Sequence, residues 1–97
     1  MGQSCEFHFQ EGFAGEAVEM AVAGKSSARF KARTRAQIGL AKIETLQLQA
    51  GQTVSISIPA LGLRSDFQVG AADRWVTVNV ADNTLVVRSV QAGPGYV

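Results

Sequence analysis

The sequence has little of the residue types that build disulfide frameworks, metal sites and catalytic couples. Its 97 residues include one cysteine and one histidine. A single cysteine excludes an internal disulfide and a four-cysteine zinc site. Because His8 stands alone, any Ser-His or Cys-His couple would need this one side chain. The acidic residues show no calcium-loop spacing, and we expect neither a metal nor a cofactor.

Long apolar runs and strong net charge are also absent. No segment approaches the run of about 18 apolar residues that spans a bilayer. The N-terminus lacks the basic start and apolar stretch of a signal peptide. We therefore expect no membrane partner and favour a cytoplasmic location. The net charge of +1 creates no global field that would attract nucleic acid, so we do not expect that partner either.

Apolar and polar residues alternate with period two along most of the chain. Val76, Val78 and Val80 interleave with Thr77 and Asn79, for example. Strict alternation over several residues indicates a strand with one buried face. An apolar content of 46% suits a packed domain, and 97 residues are enough for one core. The sequence predicts a single all-β domain over residues 1–97.

Turn signals divide the chain into strand-length segments. The predicted strands are Cys5–Gln10, Glu16–Ala23, Ala28–Arg35, a segment around Leu46 and Leu48, Thr53–Ile58, Leu61–Val69, Arg74–Val80 and Thr84–Val90. A turn over Gly24–Ser27 and another over Ala81–Asn83 would close two hairpins. Turn signals every 8–12 residues, roughly, favour an antiparallel β-sandwich of about seven or eight short strands. A small β-barrel is the alternative.

In general pattern this arrangement resembles immunoglobulin-like and transthyretin-like sandwiches. True immunoglobulin domains carry a Cys…Trp…Cys spacing, which one cysteine cannot supply. The resemblance implies a two-sheet fold and assigns no activity.

Residues 36–48 are the hardest to assign. Leu46 and Leu48 alternate with polar neighbours, but Ile43 is out of phase with them, which predicts a bulge or a break between. A helix is the main alternative, because the stretch contains few helix breakers. Gly39 within it and the lack of an N-cap count against the helix.

The apolar phase of each strand defines the predicted core. Its members are Phe7, Phe9, Val18, Met20, Val22, Phe30, Leu46, Leu48, Val54, Ile56, Ile58, Leu63, Phe67, Val69, Val76, Val78, Val80, Leu85 and Val87. Cys5 shares a face with Phe7 and Phe9, so we expect it to be buried as a small apolar residue. His8 falls on the opposite face, where we expect a surface histidine without a catalytic role.

One strand concentrates positive charge. Arg29, Lys31, Arg33 and Arg35 occupy alternate positions and would share one face. Such a row suits phosphates, an acidic glycan or an acidic protein. A solvated strand face that discourages aggregation is the plainer interpretation, with Glu16 and Glu19 neutralising the row across the hairpin. No aromatic residue is interleaved with these cations, which disfavours single-stranded nucleic acid.

Three aromatic side chains could either pack on the domain itself or contact a partner. Trp75 lies on the polar side of its strand, where it either caps the core or contacts a ligand. Phe13, between glycines, has the same two interpretations. Tyr96 in the Gly93–Val97 tail is expected to fold back on the domain or to dock on a second copy.

These observations leave three functions open. The first is a small non-catalytic binding domain whose candidate surface includes Trp75 and the basic row, with a protein or an anionic ligand as partner. The second is a small enzyme or accessory subunit with a shallow site. The third is a homo-oligomer formed by strand or tail exchange.

Overall fold

The computed structural model describes residues 3–35, 37, 39–71 and 73–90. They form eight strands, β1 to β8, and one 3-10 turn at Pro59–Leu61. In order, the strands are Gln3–Phe9, Ala14–Val22, Lys25–Arg33, Lys42–Leu48, Thr53–Ile58, Leu63–Gln68, Trp75–Ala81 and Thr84–Val90. No α-helix occurs within these described ranges.

The strands form two four-stranded sheets packed face to face, which confirms the predicted β-sandwich. One sheet has the order β4-β1-β7-β8 and the other β3-β2-β5-β6, and neither closes into a barrel. All pairings are antiparallel except that of β1 with β7. The immunoglobulin grouping places the first strand beside the second, whereas β1 lies between β4 and β7.

Two hairpins turn through two residues each. Asp82 and Asn83 join β7 to β8 with φ values of 51° and 57°. Ala23 and Gly24 join β2 to β3 with φ values of 51° and 82°. Positive φ at both central residues characterises the type I′ turn, whose twist matches that of the flanking strands. The turn between β2 and β3 therefore consists of Ala23 and Gly24, whereas the sequence predicted a turn over Gly24–Ser27.

The described residues of the stretch 36–48 contain no helix, so the helix alternative is wrong for them, and so is the predicted bulge or break. Lys42–Leu48 forms β4 and pairs with β1 without interruption, from Phe9 opposite Lys42 to Gln3 opposite Leu48. Ile43 keeps the strand phase and lies on the outer face, 42% exposed. The sequence pattern misled because an apolar side chain occupies an outward position.

The core contains every residue predicted for it, either buried or packed against the buried cluster. Cys5 is fully buried, as predicted. Phe13 and Ala32 are buried as well, and the Phe13 ring meets Phe9 edge-on at 5.8 Å, so Phe13 is a core residue. Leu61 departs from its predicted strand, because Pro59 begins a 3-10 turn that leaves Leu61 exposed and starts β6 at Leu63.

Val78 offers a test of the core. Its side chain is fully buried in β7, so Val78→Ala should lower the free energy of unfolding by about 1–3 kcal/mol through lost burial and a cavity. Val86→Ala is the matched control, since Val86 lies on the outer face of β8 and is half-buried. Urea unfolding measures both. Equal losses would contradict the assigned faces.

Ala23 offers a test of the turn. An alanine at φ 51° is strained, whereas asparagine tolerates this conformation and Asn-Gly is the preferred type I′ pair. Ala23→Asn should therefore raise the free energy of unfolding by about 1 kcal/mol. Ala23→Val should lower it, because a β-branched residue fits positive φ poorly. Thermal unfolding that ranks the variants in the opposite order would contradict this turn geometry.

Candidate binding surface

The basic residues follow β3, which is an edge strand of its sheet. Arg29, Lys31 and Arg33 alternate there with Phe30 and Ala32, which pack in or against the core. Because alternate side chains of a strand point to opposite faces, the three cations share the outer face of the sheet. All three are exposed. We call Arg29, Lys31 and Arg33 the β3 row.

Arg35 lies beyond the end of β3. Its backbone N–H donates to the Leu40 carbonyl at 3.0 Å in an isolated bridge. Its side chain is exposed, but the strand period no longer sets its direction. The β3 row therefore has three strand-positioned members, with Arg35 adding charge at one end.

Acidic neighbours neutralise the row only in part. Glu19 on β2 lies opposite Arg29, with 3.8 Å between Oε2 and Nε. Glu16 instead accepts a hydrogen bond from the Ala14 N–H at 2.9 Å, beside the bulge at Gly15. In the described part of the chain, Lys31 and Arg33 take part in no ion pair.

A shallow groove of about 370 Å³ lies beside the row on the same outer face. It is lined by Glu19, Met20, Ala21, Gly24, Ser26, Ser55, Ser57 and Arg64. Small side chains at adjacent positions of β2 and β5 leave the space, while Glu19 and Arg64 supply charge. Sequence reasoning missed this groove because β5 and β6 lie far along the chain from β3. The sequence feature that could have indicated the groove is the pair of small side chains, Ser55 and Ser57, on the polar phase of Thr53–Ile58.

Asp66 and Arg64 form the β6 side of this face. Arg64 Nε lies 3.4 Å from Asp66 Oδ1, and Arg64 Nη2 lies 3.4 Å from the Ser55 hydroxyl. Hydrogen bonds from Ser55 and Arg64 hold the pKa of Asp66 below its usual range. A general acid at neutral pH needs a raised pKa, so Asp66 is suited to holding charge and not to donating a proton.

Trp75 lies on the opposite side of the molecule. It occupies the outer face of β7, between Glu6 and Val90 in the sheet register, and is half-buried outside the core cluster. It therefore does not cap the core from this position. The two parts of the predicted binding surface, Trp75 and the β3 row, lie on different outer faces and do not form one site.

His8 differs from its prediction as a surface residue. It occupies the outer face of β1, between Ile43 and Thr77 in register, yet it is 3% exposed. Its Nε2 lies 2.9 Å from Glu6 Oε1. Strand periodicity gives the face of a residue correctly but not its burial, which here depends on the two strands, β4 and β7, that flank β1.

Cys5 lies on the inner face of β1, opposite to His8. Burial raises the pKa of its thiol to about 11, and the carboxylates of Asp73 and Glu6 add to the effect. A thiol with this pKa is protonated at neutral pH and is a poor nucleophile. The strand geometry and the pKa together argue against a Cys-His couple.

Metal ligands, membrane-spanning helices and similarity to known proteins were the remaining possible pointers to function. In those ranges no three His, Cys, Asp or Glu side chains form a group that could hold a metal. No helix there has the length and apolar character needed to cross a membrane. No family model, curated protein or solved structure matches the chain. The expected docking of Tyr96 concerns residues 93–97, which lie outside the described ranges.

Cys5 provides a kinetic test of this geometry. A thiol reagent should modify the folded protein slowly at neutral pH, and the rate should rise with pH through a midpoint near 11 instead of near the ordinary 9.0. The urea-unfolded chain is the control and should react quickly. Rapid modification of the folded protein that disappears in His8→Ala would reveal a reactive couple and contradict the opposite-face assignment.

Proposed function

We propose that this domain is a non-catalytic binding module that takes an anionic partner on the outer face of the β3-β2-β5-β6 sheet. The observation that carries the proposal is the β3 row, in which three exposed cations repeat at the strand period and two of them lack an ion pair in the described chain. Exposed guanidinium and ammonium groups bind carboxylates, sulfates and phosphates through charge-assisted hydrogen bonds.

The charge balance of this face supports the proposal. The strand positions that share it carry more cations than acids, namely Arg29, Lys31, Arg33 and Arg64 against Glu19 and Asp66. The whole chain has a net charge of only +1. The positive charge is therefore local, which favours a partner that contacts this face over one steered by the whole molecule.

The alternative hypothesis, that the domain is a small enzyme, has less support than the binding module. The groove offers serine hydroxyls, one arginine and Glu19, but the carboxyl group on its border, Asp66, has a lowered pKa. Cys5 and His8 lie on opposite faces of one strand. Nucleophilic catalysis needs the nucleophile within reach of its base.

Self-association by strand addition is the second candidate. The seven residues of the β8 edge include one charged side chain, Arg88, whereas charged side chains protect edges against pairing with another chain. Sedimentation over a range of protein concentrations tests it. A concentration-dependent mass favours this candidate, and a constant monomer mass rejects it.

The main proposal predicts binding to an immobilised polyanion. The wild type should bind a heparin column at low salt and elute as salt rises, because ion release drives such binding. Lys31→Glu and Arg33→Glu should each elute earlier, since each reverses a charge on the proposed surface. The matched control is Arg88→Glu, which reverses an exposed charge on the outer face of the other sheet.

Two outcomes would contradict the proposal. In the first, the wild type passes through the column at low salt. In the second, Arg88→Glu shifts elution as much as Lys31→Glu does, so that binding reflects overall charge and not the β3 row. Far-ultraviolet circular dichroism of each variant checks that the fold is retained.

A further inference from the structure

β3 has one side open to a further strand. It pairs with β2, and no other strand in the described ranges pairs with its far side. The pairing with β2 runs in regular register from Ala28 to Ala32, between two bulges. An edge of this kind presents unpaired backbone N–H and C=O groups, which an extended peptide can use for strand addition.

The charges on β3 have the spacing that an added strand requires. Consecutive members of the β3 row are two residues apart, about 6.6–6.8 Å along a strand. An added strand would place its own alternate side chains beside them, at about 4.5–5.5 Å between β-carbons. Acidic residues at every second position would therefore meet Arg29, Lys31 and Arg33 together.

The inner side of β3 indicates what the intervening residues should be. Phe30 is only partly buried, although its ring packs edge-on against Phe9 at 5.0 Å between centroids. The Lys42 ammonium lies 5.2 Å from the same ring. A neighbouring strand would bring an inward side chain beside Phe30, and an apolar one would bury more of the ring.

We propose that the partner is an extended protein segment in which acidic and apolar residues alternate, and that it adds to the sheet as a strand beside β3. This inference rests on the proposed anionic partner and names its class. A glycan also offers negative charge, but it lacks the amide groups for the open edge and the apolar side chains for Phe30. The edge and Phe30 therefore favour a peptide.

The test compares two peptides of equal composition, one with glutamate and valine alternating and one with its glutamates grouped together. Isothermal titration against the full chain should show the alternating peptide binding roughly tenfold more tightly, since only it places all acids on one face. Lys31→Glu should weaken this binding, and Arg88→Glu, on the other sheet, should not.

Backbone methylation of the alternating peptide separates strand addition from simple charge attraction. In a strand, the N–H groups of alternate residues point to opposite edges. Two versions are N-methylated, one on the glutamates and the other on the valines. Methylation of one set should abolish binding while the other set is tolerated, because only one edge of the peptide faces β3.

The outcomes distinguish this inference from the function on which it rests. Equal binding of the alternating and grouped peptides, or of both methylated versions, overturns strand addition while leaving an anionic partner in place if Lys31→Glu still weakens it. Heparin binding without peptide binding also overturns the inference and favours a glycan. If the wild type binds neither heparin nor the alternating peptide, the inference and the proposed function are overturned together.

Discussion

The edge-to-face contacts of Phe7 and Phe9 tie the two sheets together. Both residues belong to β1, an interior strand of its sheet, and both are fully buried. Phe7 meets Phe67 on β6 at 6.3 Å, and Phe9 meets Phe30 on β3 at 5.0 Å. One strand thereby contacts both outer strands of the opposite sheet. Such pairs contribute about 0.5–1.5 kcal/mol each beyond the area they bury.

This packing also places the basic side chains of β3 on the outer face of their sheet. Because Phe30 must point toward Phe9, its neighbours on β3 must point away from the core, and those neighbours are basic. A one-residue slip of β3 would bury arginine and lysine and expose phenylalanine. The same constraint that stabilises the fold therefore holds the cations in a row at the surface.

Strand positions and the core could be predicted from the sequence because both follow from local alternation. The faces of Cys5 and of the β3 row follow for the same reason. The burial of His8 could not be predicted, because it depends on which strands flank β1 and on the side chains that they place beside His8. The separation of Trp75 from the β3 row depends on which sheet each strand joins, and alternation carries no information about that choice. The predicted turn did not include Ala23, because alanine is rare at positive φ.

Two other edges of the sandwich, β4 and β6, help to interpret the charge on β3. At β4, Lys42 and Glu44 lie 3.8 Å apart, and at β6, Arg64 and Asp66 lie 3.4 Å apart. These two edges carry charged side chains in pairs of opposite sign, so edge protection in this molecule does not require an excess of one charge.

On β3 the situation differs, since Glu19 offsets Arg29 while Lys31 and Arg33 have no ion pair within the described chain. Protection from aggregation accounts for charge at this edge, because a row of one sign repels a second copy of the same edge. The negatively charged partner that we propose would use the same row, because the strand period fixes where its own charges would have to lie.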